Sequence, residues 1–270
     1  MKKQFPVLAA LVVMAACSIT GCKNKESVDL TGIHSEAETT PAAETMAEET
    51  TEAPETTEAV KETEGGNAAD ALSVRSQIAT YKDGSISIEY PILSNLKDEK
   101  TETTVNDLIK EKAIQLVDAY ELDPETDTVD VSCDVISLDR SKAVFTFNGD
   151  LSSDDAAHPT SLFYTLTVNL SKGTVQRLSD YADPYTMAGY ILSDDCIITR
   201  AEDEAAVKEY LETLELNALW ETLKGCDFSD DASVFPESYS YVIQGKIYIS
   251  VPVPHPLGDY FIVEFNTESK

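Results

Sequence analysis

The chain has 270 residues, with 20 Lys and Arg against 49 Asp and Glu, a formal net charge of −29. That excess offers no counter-charge to a polyanion, so nucleic acid is not an expected partner and direct binding to anionic lipid headgroups is disfavoured. Three histidines and five cysteines limit imidazole and thiol chemistry to a few positions.

The chain opens MKKQFPVLAALVVMAACSITGC. Two lysines precede an apolar run of signal-peptide length, and the run ends in small residues, so it reads as an export signal and not a permanent membrane span. Its last four residues, Ile19-Thr20-Gly21-Cys22, resemble the bacterial lipobox. The Cys22 thiol would take the lipid and become the first residue of the mature protein. Cys17, in MAAC, is the alternative. The membrane is thereby expected as a partner through an N-terminal lipid. The expected location is the extracellular face of the bacterial cytoplasmic membrane.

Residues 23–75 are rich in Thr, Glu, Ala and Pro and almost free of aromatic and large aliphatic residues. Such a segment cannot bury enough apolar surface to offset the entropy of ordering it. It reads as a disordered, self-repelling tether with a reach of roughly 40 Å on a flexible-chain estimate. His34 lies within it. Residues 76–270 carry 14 Lys and Arg against 36 Asp and Glu, so the expected folded part alone holds −22.

In chain order, ATYKDGSISIEYPIL alternates as a strand pair around Asp83-Gly84. Next, Ile109, Ala113, Leu116, Val117 and Tyr120 fall at helical spacing, with Thr104 and Asp107 as the start signal. Period-two runs follow at Val129, Val131, Cys133 and Val135, at Ala143, Phe145 and Phe147, and from Leu162 to Leu170. They predict antiparallel strands with one buried face each. Helical stripes return with Val207, Tyr210, Leu211 and Leu214, then Leu216, Leu219, Trp220 and Leu223, ending at Gly225. YSYVIQGKIYISVPV and GDYFIVEFN close the chain as strands. Elements arrive in blocks, which predicts an α+β fold with a mainly antiparallel sheet packed with helices.

Three cysteines fall in the folded part. Cys133 sits in an alternating run as a small buried hydrophobe. Cys196 and Cys226 are candidates for a disulfide, which would stabilise by up to about 3 to 4 kcal/mol on the chain-entropy model.

Three stretches together resemble the extracellular part of the RsiV-like family, typified by a lysozyme-sensing anti-sigma factor and shared with lipoproteins and some peptidoglycan deacetylases. They are IEYPILSNLKDEKTETTVNDLIKE, with Asn106 on the helix; AAHPTSLFYTLTVNLSKGTVQRLSDYADP; and YVIQGKIYISVPVPHPLGDYFIVEF. The resemblance covers nearly all of residues 76–270, although members usually carry Gly-Gly before the Ala-His of the second stretch. It implies a two-part ectodomain, with a smaller N-terminal portion over 76–155 and a larger C-terminal one over 156–270, that binds a protein such as lysozyme at the cell surface, without catalysis. Sigma-factor regulation is not expected. The partner is expected to be lysozyme or another cationic protein, or peptidoglycan.

The candidate chemistry rests on His158 with Pro159, and on His255 with Gly258 and Asp259. Both histidines stand in His-Pro sequences at strand ends. As turn residues, each imidazole would hold backbone in a proline-stiffened loop, with Gly258 taking a conformation other residues avoid. As binding residues they would form a contact surface. As ligands, together with Asp155 or Asp259, they would make a two-histidine, one-carboxylate metal site or an acid–base pair for cell-wall hydrolysis. No cofactor is expected, and no G-x-S-x-G, H-E-x-x-H or P-loop pattern is present. A purely structural scaffold lipoprotein is the remaining alternative.

Overall fold

The computed structural model describes residues 73–153, 156 and 158–267. The expected signal segment and the expected tether up to residue 72, with Cys17, Cys22 and His34, lie outside the described residues, as does Asp155, while Arg75, placed in the tether from the sequence, opens the first strand. Among the described residues no helix is long and apolar enough to cross a membrane.

The chain begins with a hairpin of β1 (Arg75–Asp83) and β2 (Ile86–Ser94), then the 21-residue helix α1 (Glu99–Ala119). Strands β3 (Thr128–Leu138), β4 (Lys142–Ser152), β5 (Thr160–Asn169) and β6 (Thr174–Val175) complete a six-stranded sheet in the order β1-β2-β3-β4-β5-β6. All its pairs are antiparallel except β2 with β3, which α1 joins as a crossover. Three short helices follow, α2 (Pro184–Ile191), α3 (Glu204–Leu211) and α4 (Leu216–Lys224), with β7 (Ile197–Arg200) between the first two. Strands β8 (Tyr239–Ile243), β9 (Lys246–Pro252) and β10 (Tyr260–Asn266) join β7 in a second, antiparallel sheet of order β7-β10-β9-β8. The expected α+β class with mainly antiparallel strands is the observed one.

Helix α1 starts earlier than its sequence signal. Asp98 caps it, accepting from the Thr101 N–H at 2.8 Å, and Thr104 and Asp107 lie inside it. Its side chains Val105, Ile109, Ala113 and Leu116 have no exposed surface, and each large aliphatic so buried contributes ~1.5 to 3 kcal/mol. Asn106 fastens the helix to β2, accepting from the Leu93 N–H and donating to the Leu93 carbonyl, both at 2.8 Å. The polar side chains Lys112 and Gln115 of the same helix are buried as well. Lys112 Nζ donates to Gln115 Oε1 and the Ser229 carbonyl, while Gln115 Nε2 donates to the Val234 carbonyl at 2.7 Å. The helix thus holds the 226–238 loop by polar anchors as well as by packing.

The alternation in β4 and β5 marks only part of what they bury. Phe145, Phe147, Tyr164 and Leu166 face α1, as expected, but Val144, Thr146, Thr165 and Thr167 on the other face are buried too. The second sheet covers that face: Thr165 Oγ1 donates to the Ser240 carbonyl at 2.8 Å, and Phe163 stacks on Tyr260. The far side of the second sheet packs against α2, α3 and α4 through Ile247, Ile249, Val251, Phe261 and Val263.

The expected division between residues 155 and 156 needs correction. It falls inside the β4–β5 hairpin, whose strands pair from Lys142 with Asn169 to Leu151 with Thr160. The two sheets divide instead after β6. The candidate Cys196–Cys226 disulfide is not formed, since both thiols are free. Cys226 is turned into the core with its Sγ 3.6 Å from Asp227 Oδ2, while Cys196 lines a cleft beside Lys208 of α3. Cys133 is buried in β3 as expected, and burial pushes its thiol up to about 12.

Candidate functional site

The chain between β9 and β10 is a closed loop. The Val253 N–H donates to the Asp259 carbonyl at 2.9 Å, and between them His255–Leu257 makes one 3-10 turn. Pro254 and Pro256 pre-set this path by fixing their own φ. The loop then turns sharply, with Gly258 at φ 96° and Asp259 at φ 67°. Glycine is required at 258, because a Cβ there would stand 2.8 Å from the Glu202 carboxylate as well as at a positive φ. Aspartate is one of the few other residues that tolerate such a φ, which suits it to 259.

The turn carries a polar chain of contacts. His255 Nδ1 lies 2.9 Å from Asp259 Oδ1, and Asp259 Oδ2 accepts from the Ser161 N–H at 2.7 Å at the start of β5. Asp259 is the joint that holds the second sheet's loop to the first sheet. The His158 ring lies 6.0 Å from that of His255, at an angle of 19° between the planes. The structure therefore brings together four of the expected residues, His158, His255, Gly258 and Asp259, with Pro159 exposed beside them. His158 and His255 are both exposed.

Six neighbours were not anticipated by the sequence. Phe163 and Tyr260 stack at 5.2 Å, and the Arg200 guanidinium sits 5.1 Å from the Tyr260 ring and 5.9 Å from the Phe163 ring. Arg200 also donates to Asn148 Oδ1 at 2.8 Å. Burial raises the Tyr260 phenol, with Arg200 acting in the opposite direction. Asp150 and Glu202 complete the surroundings, Asp150 near Ser161 Oγ and Glu202 over Gly258. Alternation marks Phe163 and Tyr260 as strand residues, but nothing in the local sequence of Arg200 announces that it meets them from a third strand.

The arrangement offers two accessible imidazoles, one oriented by a carboxylate, on an aromatic and arginine support. Among the described residues, neither imidazole is hydrogen-bonded to a hydroxyl or thiol that could act as nucleophile. Among the same residues, no group of three or more His, Cys, Asp or Glu is placed to hold a metal ion.

No family model matches the chain, and no curated protein matches it. Two solved structures are similar to it at low identity. One is a member of the DUF3298 family from Bacteroides fragilis, 14% identical, covering 73% of this chain and 90% of that one, with a TM-score of 0.35. The other is a DUF3298 family protein from Pseudomonas aeruginosa, 12% identical, covering 66% of this chain and 82% of that one, with a TM-score of 0.32.

Proposed function

We propose that this protein is a lipid-anchored, cell-surface binding protein whose folded domain captures a cationic partner, with lysozyme the first to test. The observation that carries the reading is the charge of −22 on residues 76–270. A field of that sign accelerates encounter with a basic protein and suppresses binding of acidic ones. The histidine turn supplies a contact surface within it, where His158 and His255 stand exposed among Asp150, Glu202 and Asp259. The Cys22 lipobox and the acidic tether would hold the domain on the outer side of the membrane at some distance from the lipid. Membrane fractionation of cells carrying the chain or Cys22→Ala tests the anchor. Retention of lysozyme or peptidoglycan fragments by the purified chain at physiological salt tests the ligand, and retention of neither contradicts the reading.

The convergence of His158 and His255 favours a second reading, metal-assisted or acid–base hydrolysis of cell wall. Elemental analysis of the chain beside a His158→Ala, His255→Ala double variant decides it. Stoichiometric metal lost in the variant, with cell-wall cleavage lost alongside, would replace the binding reading.

A further inference from the structure

The two sheets end in four edge strands, and three of them are short or covered. Strand β6 has two residues and β7 four, and β7 shifts register against β10. Strand β8 is held against the rest of the fold, where the Ser240 N–H donates to Asp227 Oδ1 and the Ser240 carbonyl takes the Thr165 hydroxyl. The fourth edge, β1, is nine residues long, contains no proline and pairs with β2 without a break in register. All nine residues are exposed or half-buried. A long, regular edge of this kind is a template for another strand.

Its outer side can be assigned residue by residue. The Ser85 carbonyl accepts from the Val129 N–H at 3.2 Å, so the backbone groups of residues 85 and 87 face β3 and those of 86 and 88 face β1. Asp83 and Tyr81, opposite Ile86 and Ile88, therefore turn theirs inward to β2. By the same alternation the N–H and C=O groups of Ser76, Ile78, Thr80 and Lys82 point away from the sheet, where no described strand pairs with them. Ile78 adds a large aliphatic side chain to this margin, 47% exposed.

The strand is complementary to itself. Paired antiparallel about Ala79, it sets Ser76 opposite Lys82 of the second copy and Ile78 opposite Thr80 of the second copy, so outward groups meet outward groups and exchange hydrogen bonds. A register one residue away would match outward groups to inward ones. The register about Ala79 also sets Arg75 opposite Asp83 of the second copy, once at each end, and makes the two Ile78 side chains diagonal neighbours near the middle. Registers two residues away on either side lose the Arg75–Asp83 pairing. Strand β1 carries Arg75 and Lys82 against Asp83 alone, so two copies of a strongly acidic domain meet where the strand itself holds an excess of cations. We propose that the chain forms a symmetric dimer through β1, which joins two six-stranded sheets into one continuous sheet.

The test is disulfide cross-linking of the purified full chain with copper phenanthroline, at about 100 μM, where a micromolar Kd is saturated. Across the two-fold axis Ala79 faces itself in a non-hydrogen-bonded pair with Cα atoms about 4.5 Å apart, within the span of a disulfide. Ala79→Cys is therefore expected to cross-link to a dimer. Ser76→Cys, whose two copies would lie about 20 Å apart along the paired strands, should cross-link no more than wild type does through its own cysteines. Thr80→Pro removes an outward N–H that the single chain does not use, and Ile78→Glu brings two carboxylates together across the axis. In the Ala79→Cys background each is expected to lower the cross-linked fraction about tenfold, with the melting temperature of the reduced chain kept. Ala79→Cys cross-linking no better than Ser76→Cys, as when a different protein or a different face pairs, overturns the proposal. Cross-linking that survives either added substitution in a folded chain overturns it as well.

Discussion

Asp259 joins two sheets with one carboxylate, since Oδ1 lies 2.9 Å from His255 Nδ1 while Oδ2 accepts the Ser161 N–H at 2.7 Å. Removing that carboxylate leaves the part-buried Ser161 N–H without its acceptor, which costs about 1 to 3 kcal/mol. Asp259→Ala also places a residue that avoids positive φ at 67°. We therefore predict that Asp259→Ala lowers the urea midpoint clearly and that Asp259→Asn, which keeps an acceptor and tolerates the φ, lowers it less. Equal midpoints for the two variants would contradict this role. Gly258→Ala should be at least as damaging as Asp259→Ala, because Glu202 must also move.

A buried carboxylate sets a pH dependence. Asp227 is 2% exposed and at φ 67°, and it lies where the loop after α4 passes from one hydrophobic core, with Cys226, to the other, with Phe228. It accepts from the Leu178 N–H at 2.7 Å, from the Ser240 N–H at 2.6 Å and from the Ser240 hydroxyl. Burial pushes its carboxyl up to about 6 from 3.8, with the Ser240 and Leu178 hydrogen bonds pulling the other way. Between those values the folded chain holds a proton that the unfolded chain has released, so stability falls as the pH rises from about 4 to about 6. The predicted loss is on the order of 3 kcal/mol at most. Urea unfolding of wild type and Asp227→Asn across this range checks it: the variant should show the shallower dependence, and identical slopes would contradict the account.

Two buried tyrosines predict opposite outcomes. Tyr164 and Tyr239 have ring centres 6.0 Å apart in one aromatic cluster. The Tyr164 hydroxyl donates to the Ala113 carbonyl at 2.8 Å, whereas the Tyr239 hydroxyl has no partner among the described residues. Tyr164→Phe should destabilise by about 1 kcal/mol, and Tyr239→Phe should be neutral or stabilising. Thermal melts of the two variants check this, and a larger loss for Tyr239→Phe would contradict it.

The anchors on α1 give a local prediction. Gln115→Ala removes the bond to the Val234 carbonyl and should raise amide exchange and proteolytic nicking across residues 229–237. The paired strands β3, β4 and β5 should keep their protection. Unchanged exchange in the loop would show that Lys112 and the aromatic packing alone hold it.

These residues also mark what could be read from the sequence. Hydrophobic periodicity finds α1 and most strands, because Ile109, Ala113 and Leu116, and Val129, Val131 and Cys133, face one core. It fails where a second layer covers the other face, so Thr165 and Thr167 read as solvent-facing although they are buried. Helix α2 has only eight residues and is not found from the sequence, although the Asp183 cap followed by Pro184 at the first helical position is a signal that could have found it. His-Pro motifs and Gly258 locate the histidine turn, since local backbone chemistry makes it. Arg200 meets Phe163 and Tyr260 only through tertiary packing, and Asp227 is one acidic residue among many until its burial is known.

The central claim is that the acidic domain captures a cationic protein. It is tested most directly by the affinity of the chain from residue 23 onward for lysozyme across a salt series, beside lysozyme made acidic by succinylation. The account predicts saturable binding that weakens as salt rises, with succinylated lysozyme not bound. Absence of binding even at low salt, or equal binding of the succinylated protein, would contradict it.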